Sequence, residues 1–298
     1  MYSVRDVILN KVTESFPEFS TSSLLVHIAF HYNEDRFKYL FSVLEKISLY
    51  DFERIDVYID TNSEKLLPGV ALSDYPGVSS IEVSLHENLD HPFLLTWAHR
   101  ANMKSLKDEY DYFMYVEDDI AVSYDSLLKW REDSIFLDDY GKIRGFIRTE
   151  VNAKNELVSS DYKKPIKCKE IVFIDEKTFI APANPYQGFW FYSKKQFDGF
   201  YGSECWVSGN CDWGVRERAS AGMIWKDSEP QEGHCLVIPL INQSIPGYVY
   251  VDHLPNNYAL NNKEKHGSLK ISKIVPNNIL FRLCLRIRKY INEKHLSD

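Results

Sequence analysis

Three consecutive acidic residues, Glu117, Asp118 and Asp119, follow an apolar run in the segment YVEDDI at residues 115–120. Adjacent carboxylates at the end of a buried strand repel one another, and a bound cation would relieve that repulsion. Mg2+ and Mn2+ prefer oxygen ligands and often share them with the phosphates of a substrate. The cluster therefore predicts a metal and phosphate site, with a solvated acidic turn before the next helix as the structural alternative.

Side chains that suit a nucleotide occur near the other predicted strand ends. His99 and Arg100 precede the acidic segment on a predicted helix, and the planar donor fork of Arg100 suits a diphosphate. His31, Asn33 and Asp60 lie at the ends of two earlier strands, where they would approach a base and a ribose. A solvated helix face is the structural alternative for the cationic pair.

The elements that position these residues alternate between strand and helix. Apolar runs rich in β-formers predict strands, and apolar residues at helical spacing predict helices between them. This alternation is typical of a doubly wound α/β fold with a mostly parallel sheet, whose ligands bind beyond the carboxyl ends of the strands. The first half is predicted to contain strands at 23–32, 54–63, 79–87 and 111–120, and helices at 36–49 and 91–110. The second half is predicted to contain strands at 145–151, 169–181, 235–240 and 248–254, and a helix at 209–225.

Composition restricts the class of protein. The 298 residues are 44% hydrophobic and 26% charged, which is a globular balance that excludes collagen, coiled coil and disorder. The net charge of −8 argues against a general nucleic-acid-binding surface.

The segment MYSVRDVILNKVTESF does not resemble a secretory signal, so we expect a cytoplasmic location. The five cysteines are then expected to be reduced, although Cys205 and Cys211 could be bridged in an oxidising compartment.

The order of elements up to YVEDD resembles the GT-A family of glycosyltransferases, which use nucleotide-sugar donors. The resemblance covers about residues 23–254, and its most specific part is the acidic strand end, where the family carries a DxD-type motif often seen as Glu-Asp-Asp. It implies a Rossmann-like GT-A fold, with helices on both faces of the central sheet and a small acceptor-side sheet. It also implies that Asp119 binds Mn2+ or Mg2+ and that Glu117 faces the ribose or the donor sugar.

Three further features of the family have counterparts later in the chain. Gly188 in NPYQGFW is similar to the glycine of the acceptor-side loop. Asp212 in CDW matches the catalytic base of inverting members, with Glu217 as the second choice. His253 in YVYVDHLPNNY matches the histidine that completes the metal shell, with His234 as the second choice. The structural alternatives are a tight turn, a helix cap and a packed histidine.

These features predict a metal-dependent transferase that moves a sugar from a nucleoside-diphosphate sugar to a hydroxyl of a glycan or glycolipid. The metal would stabilise the departing diphosphate, and Asp212 would take the acceptor proton in an inverting displacement. Retaining chemistry stays open. A sugar nucleotidyltransferase is less favoured, because the turn from His31 to Asp35 has no glycine. A non-catalytic carbohydrate-binding protein is the third interpretation, and it would have no affinity for nucleotides.

The chain is expected to consist of an N-terminal extension, a catalytic domain and a C-terminal tail. The extension spans 1–22, the nucleotide-sugar-binding half 23–120, the acceptor-side half 121–260 and the tail 261–298. Basic and apolar residues interleave along the tail, as in helices that lie on a membrane surface, so peripheral contact with a membrane is one interpretation. A helix packed on the core is favoured, because the negative net charge opposes adsorption to anionic lipid.

Overall fold

The computed structural model is an α/β structure with mixed sheets, and the strands of its central sheet are mostly parallel. It describes residues 15–65, 70–184, 186–207, 214–221, 235–261 and 269–295. The central sheet has the order β11-β4-β1-β2-β3, in which the four strands of the first half are parallel and β11 runs antiparallel beside β4. These strands are β1 (Ser23–Phe30), β2 (Arg54–Thr61), β3 (Ser80–Leu85), β4 (Tyr112–Glu117) and β11 (Phe189–Ser193). The four strands predicted in the first half are confirmed.

Helices cover both faces of the central sheet. On one face, Leu24 and Val26 of β1 pack with α1 (Phe37–Ile47) and α3 (Tyr124–Leu137). On the other face, Leu25 and Ala29 pack with α2 (His99–Ser105) and α4 (Lys194–Tyr201). A parallel strand that is buried on both faces needs apolar residues at successive positions, which accounts for the run SLLVHIAF.

The two helices predicted in the first half have different outcomes. The helix predicted at 36–49 is confirmed as α1, whose buried residues Leu40, Val43, Leu44 and Ile47 have helical spacing. The helix predicted at 91–110 is instead a 3₁₀ helix, Pro92–Trp97, followed by the shorter α2. The Thr96 hydroxyl donates to the carbonyl of Phe93 at 2.7 Å, a local bond that competes with α-helical pairing.

Two further sheets form the second half, where one small sheet was expected. A four-stranded sheet has the order β6-β12-β10-β9, and a five-stranded sheet has the order β14-β8-β7-β13-β5. The segment 169–181, predicted as one strand, is a hairpin that turns at Asp175 (φ 48°). The strands are β5 (Ile120–Ala121), β6 (Ile143–Arg144), β7 (Ile147–Val151), β8 (Leu157–Ser159), β9 (Ile171–Ile174), β10 (Lys177–Ile180), β12 (Leu236–Pro239), β13 (Tyr250–His253) and β14 (Leu269–Lys270). The remaining helices are α5 (Val215–Ala221), α6 (Asn257–Leu260) and α7 (Ile279–His295).

Both ends of the described chain contribute to buried cores. Phe16 and Phe19 lie in the core beneath the central sheet, so residues 15–22 of the predicted extension pack with that sheet. Phe281 of α7 is buried in a second core formed by the smaller sheets. No helix in the described ranges is both long and apolar enough to cross a bilayer.

A disulfide bond joins Cys168 to Cys284 and corrects the expectation that all five cysteines are reduced. The two cysteines are 116 positions apart, and the fold brings them together by packing α7 beside the segment 168–170. Cys211, the partner considered for Cys205, lies outside the described residues. The bond thus ties the C-terminal helix to the second half of the fold.

Reduction of this disulfide should lower the free energy of unfolding by about 2–4 kcal/mol, because the unfolded chain loses the constraint of a long closed loop. Urea unfolding with and without dithiothreitol would measure the change. The Cys168→Ser/Cys284→Ser variant is the control. Its free energy of unfolding should equal that of the reduced wild-type protein and should not change when dithiothreitol is added. Equal stability of oxidised and reduced wild-type protein would contradict a structural role for the bond.

Candidate active site

The three consecutive acids lie together at the carboxyl end of β4, beside the end of β1. The amide of Asp118 donates to the carbonyl of Ala29 at 3.3 Å, and the amide of Glu117 donates to the carbonyl of Gly188 at 3.0 Å. All three carboxylates are buried and line a cavity of about 470 Å³ at this edge of the sheet. Its other lining residues are Ala29, His31, Tyr32, Asn33, Arg36, Pro92, Phe93, Leu95, Thr96 and Arg216.

Arg36 holds two of the acids with one guanidinium group. Its Nε donates to Asp118 Oδ2 at 2.8 Å, and its Nη2 donates to Asp118 Oδ1 at 2.6 Å and to Asp119 Oδ2 at 2.8 Å. Burial raises the pKa of Asp118, and the Arg36 fork opposes that rise. The sequence analysis missed Arg36, although it lies in the turn after β1 at the edge where the polar strand ends were expected to meet.

His253 lies on the other side of Asp119. Strand β13 pairs with β5 so that His253 is opposite Ile120, and the Leu254 amide donates to the Asp119 carbonyl at 2.9 Å. This register places His253 Nε2 at 3.7 Å from Asp119 Oδ2. The ring's Nδ1 is bonded to Oε1 of Glu150, a fully buried residue of β7 that the sequence analysis did not single out.

The pKa values of Asp119 and His253 move apart. Burial raises the pKa of Asp119, but His253 and Arg36 outweigh burial and lower it to about 2. Burial lowers the pKa of His253, but the carboxylates of Asp119 and Glu150 outweigh burial and raise it to about 9. Asp119 is therefore ionised beside a ring that is cationic when no metal is bound, and an ion held by Nε2 would displace the proton from that nitrogen.

Asp119 and His253 fit a divalent ion as its two protein ligands. Asp119 Oδ1 is buried and accepts no hydrogen bond in the described part of the chain. Histidines that bind metals commonly have the second ring nitrogen fixed by a carboxylate, as Glu150 fixes His253. Within the described residues, no group of three or more His, Cys, Asp or Glu side chains could hold a metal. The remaining ligands would thus be water and phosphate oxygens, which Mg2+ and Mn2+ commonly accept.

Glu117 has a separate partner from the two aspartates. The Tyr186 hydroxyl donates to Glu117 Oε1 at 2.8 Å, and the guanidinium of Arg148 lies 4.3 Å from the centre of the Tyr186 ring. Burial raises the pKa of Tyr186, and the neighbouring carboxylate of Glu117 adds to that rise. The tyrosine therefore keeps its proton and acts as a neutral donor to Glu117.

Gly188 has a packing role that only glycine can fill. Its φ is +73°, and an added Cβ would lie 2.9 Å from Cγ1 of Ile120, next to the acidic segment. Its carbonyl also accepts the hydrogen bond from the backbone amide of Glu117. The predicted glycine loop is therefore packed directly against the acidic strand end.

Two predicted nucleotide-binding residues line the cavity. His31 contacts Asn62 through Nε2 at 3.3 Å, and the Asn33 side chain accepts from the amide of Asp35 at 3.0 Å. Arg216 of α5 also lines the cavity, so that helix contributes a cation that the sequence analysis missed. It is paired at 3.7 Å with Glu217, the predicted second choice for the base. Asp212 and His234 lie outside the described residues.

The structure does not bring Asp60, His99 and Arg100 to this cavity. Asp60 Oδ2 contacts His27 Nδ1 and its Oδ1 contacts His86 Nε2, both at 2.8 Å, so both oxygens are engaged inside the sheet. Arg100 donates to the carbonyls of Cys205 and Trp206 rather than facing a diphosphate.

The third of these residues, His99, is fully buried in an aromatic environment. Its ring centre lies 4.4 Å from that of Tyr115 and 5.5 Å from that of Trp190. Burial lowers the pKa of His99 well below its ordinary value, and the neighbouring Arg100 adds to that effect. His99 therefore packs in the core and does not face the cavity, where it was predicted to contact a nucleotide.

Replacement of Asp60 by alanine should destabilise the fold, because it leaves His27 buried without its carboxylate partner. Loss of one partner from a buried pair costs about 3–5 kcal/mol in free energy of unfolding, and urea unfolding would measure it. The control is Glu82→Ala, which removes an exposed carboxylate from the neighbouring strand. Unchanged stability of Asp60→Ala would indicate that Asp60 serves a ligand instead.

Comparison with known proteins identifies no family for this chain, so its candidate site is interpreted from the chemistry of its side chains. A scan against protein-family models found no match, and a search of curated proteins found no similar sequence. The arrangement of carboxylates, histidine and arginines around the cavity is therefore the basis on which a function is proposed.

Proposed function

We propose that the chain is a metal-dependent glycosyltransferase with a Rossmann-like GT-A fold, which transfers a sugar from a nucleoside-diphosphate sugar to a hydroxyl of a glycan or glycolipid. One observation carries the proposal. Asp119 lies two residues after the parallel strand β4 and has a buried Oδ1 that accepts no hydrogen bond from the described residues. It is beside His253, whose Nδ1 is fixed by Glu150. This arrangement supports a divalent ion at the sheet edge where phosphates bind in such folds.

The donor would bind between this pair and two arginines. Asp119 and His253 would hold Mn2+ or Mg2+, which when bound neutralises the charge that develops on the departing diphosphate. Arg36 and Arg216 line the same cavity and offer planar sets of N–H donors to phosphate oxygens. Arg36 is already fixed by Asp118, so its donors are ordered in advance of the ligand.

The nucleoside and the sugar would contact the remaining polar groups of the cavity. His31 and Asn33 lie after β1, where a base or ribose could receive hydrogen bonds. Glu117 is held by Tyr186 and suits a sugar or ribose hydroxyl, because an ionised carboxylate accepts hydrogen bonds.

The acceptor hydroxyl needs a base on the opposite side of the sugar. Asp212 precedes the first residue of α5, Val215, by three positions, and α5 carries Arg216 to the cavity. We therefore propose an inverting displacement in which Asp212 takes the acceptor proton. Glu217 is the second choice, because its carboxylate already neutralises Arg216.

A sugar nucleotidyltransferase is the second candidate, and Arg36 favours it. Enzymes of that kind need a basic residue soon after the first strand, and Arg36 occupies such a position. The turn from His31 to Asp35 has no glycine, however, whereas enzymes of that kind usually carry a Gly-rich loop there. Formation of pyrophosphate from a nucleoside triphosphate and a sugar phosphate would identify this activity.

Calorimetric titration with UDP, GDP and TDP, each with and without Mn2+, tests the proposed donor. One diphosphate should bind in the presence of Mn2+, and Asp119→Ala should weaken that binding at least tenfold, as expected when a metal ligand is lost. The matched control is Asp125→Ala, which removes an exposed carboxylate from the following helix and should bind like the wild type. If none of the three binds with or without Mn2+, the nucleotide-sugar proposal fails and a glycan-binding or structural role remains.

Glu150→Gln tests the support of His253. The amide keeps the shape of Glu150 but removes the charge that fixes the imidazole, so Mn2+ affinity should fall about 10- to 100-fold. Calorimetric titration of Mn2+ in the presence of the bound diphosphate would measure this, and Glu82→Gln on the surface is the control. Wild-type Mn2+ affinity in a folded Glu150→Gln protein would contradict His253 as a ligand.

A further inference from the structure

The C-terminal helix α7 is attached to the protein along one face. Phe281 is buried in the second core, and Leu285 packs against the same core. Cys284 is bonded to Cys168, and Arg288 donates to the carbonyl of Cys168. These contacts fix both the position of the helix and its rotation about its own axis.

A stripe of apolar side chains faces solvent on the opposite side of α7. Its members follow one another at intervals of one, three or four positions, which keeps them on one helix face. Their exposed fractions lie between 49% and 81%, and they are Ile279, Leu280, Leu283, Ile287, Tyr290 and Ile291. Contiguous exposed apolar patches are uncommon on monomeric proteins and mark sites of interaction.

A row of cations lies directly beside this apolar stripe. Arg282, Arg286 and Lys289 are exposed and follow the same spacing of four and three positions. The segment 279–291 contains no aspartate or glutamate, whereas the whole chain carries a net charge of −8. The helix is therefore locally cationic on an acidic protein.

We infer that α7 is an interfacial anchor that binds the surface of an anionic phospholipid bilayer. Its apolar stripe enters the boundary between headgroups and acyl chains, and Arg282, Arg286 and Lys289 contact the lipid phosphates. The pairing of an apolar stripe with a cationic row matches both the apolar depth and the negative charge of that surface. This inference does not depend on the proposed transferase activity.

The attachment of α7 affects both the strength and the orientation of binding. Because the disulfide and the packing of Phe281 hold the helix in place, little conformational entropy is lost when it contacts a bilayer. The acidic remainder of the protein is repelled by anionic lipid, so the protein should bind through this face.

Vesicle co-sedimentation of the full, oxidised chain tests the anchor. Wild-type protein should bind phosphatidylcholine vesicles that contain about 30% phosphatidylglycerol, and bind pure phosphatidylcholine at least tenfold more weakly. Leu280→Gln/Leu283→Gln/Ile287→Gln should lose at least tenfold in affinity. Arg282→Gln/Arg286→Gln/Lys289→Gln should lose roughly 100-fold, and high salt should weaken wild-type binding.

The matched control carries Leu72→Gln and Leu260→Gln, which replace exposed apolar residues elsewhere and should leave binding unchanged. All of these positions are exposed, so the thermal unfolding of each variant should match that of the wild type. Equal binding to neutral and anionic vesicles, no binding, or full binding by the apolar triple variant would each overturn the anchor. A dimer in light scattering that the apolar triple variant converts to a monomer would assign the stripe to a second copy and overturn it as well.

Discussion

The burial of three adjacent carboxylates at the end of β4 is the constraint on which the rest of the site depends. Charges taken out of water are costly unless each is paired or hydrogen-bonded. Here each acid has its own partner: Tyr186 for Glu117, Arg36 for Asp118, and Arg36 together with His253 for Asp119. One oxygen of Asp119 accepts no hydrogen bond from the described residues. The charges of the cluster are thus almost fully compensated. The proposed cation would bind at the remaining acceptor, Oδ1 of Asp119.

These partners explain why the second half of the chain has several small sheets. The turn after β1 supplies Arg36 and the end of β4 supplies the acids, but Tyr186 and His253 come from distant parts of the sequence. Strand β5 follows the acidic segment directly and pairs with β13, and β13 pairs with β7, so two ladders carry His253 and Glu150 to Asp119. A change in register by one residue would turn His253 to the other face of its sheet. The smaller sheets therefore position the site as well as enclosing a second core.

The sequence was sufficient for most of the elements but not for most of the side-chain pairs. Hydrophobic periodicity found β1, α1 and β4, and parallel topology correctly brought the acids to the edge that also carries His31. It did not identify Glu150, because a glutamate inside a short strand gives no pattern until the register of β7 and β13 is known. Asp60 was placed at a ligand because it ends β2, yet His27, in the middle of an apolar strand, needed a buried partner and takes it. The disulfide was missed because 116 residues separate its cysteines.

The tail packs on the core, as the sequence analysis favoured, but the net charge was a weak reason for that preference. A total of −8 averages over the whole chain, whereas electrostatic interactions at physiological ionic strength act over about 8 Å. Arg282 and Arg286 lie on a helix whose exposed apolar side chains include Leu283 and Ile287. The same argument applies to the cavity, where Arg36 and Arg216 lie among three carboxylates. Local charge, set by which residues the fold brings together, therefore determines what each surface can bind.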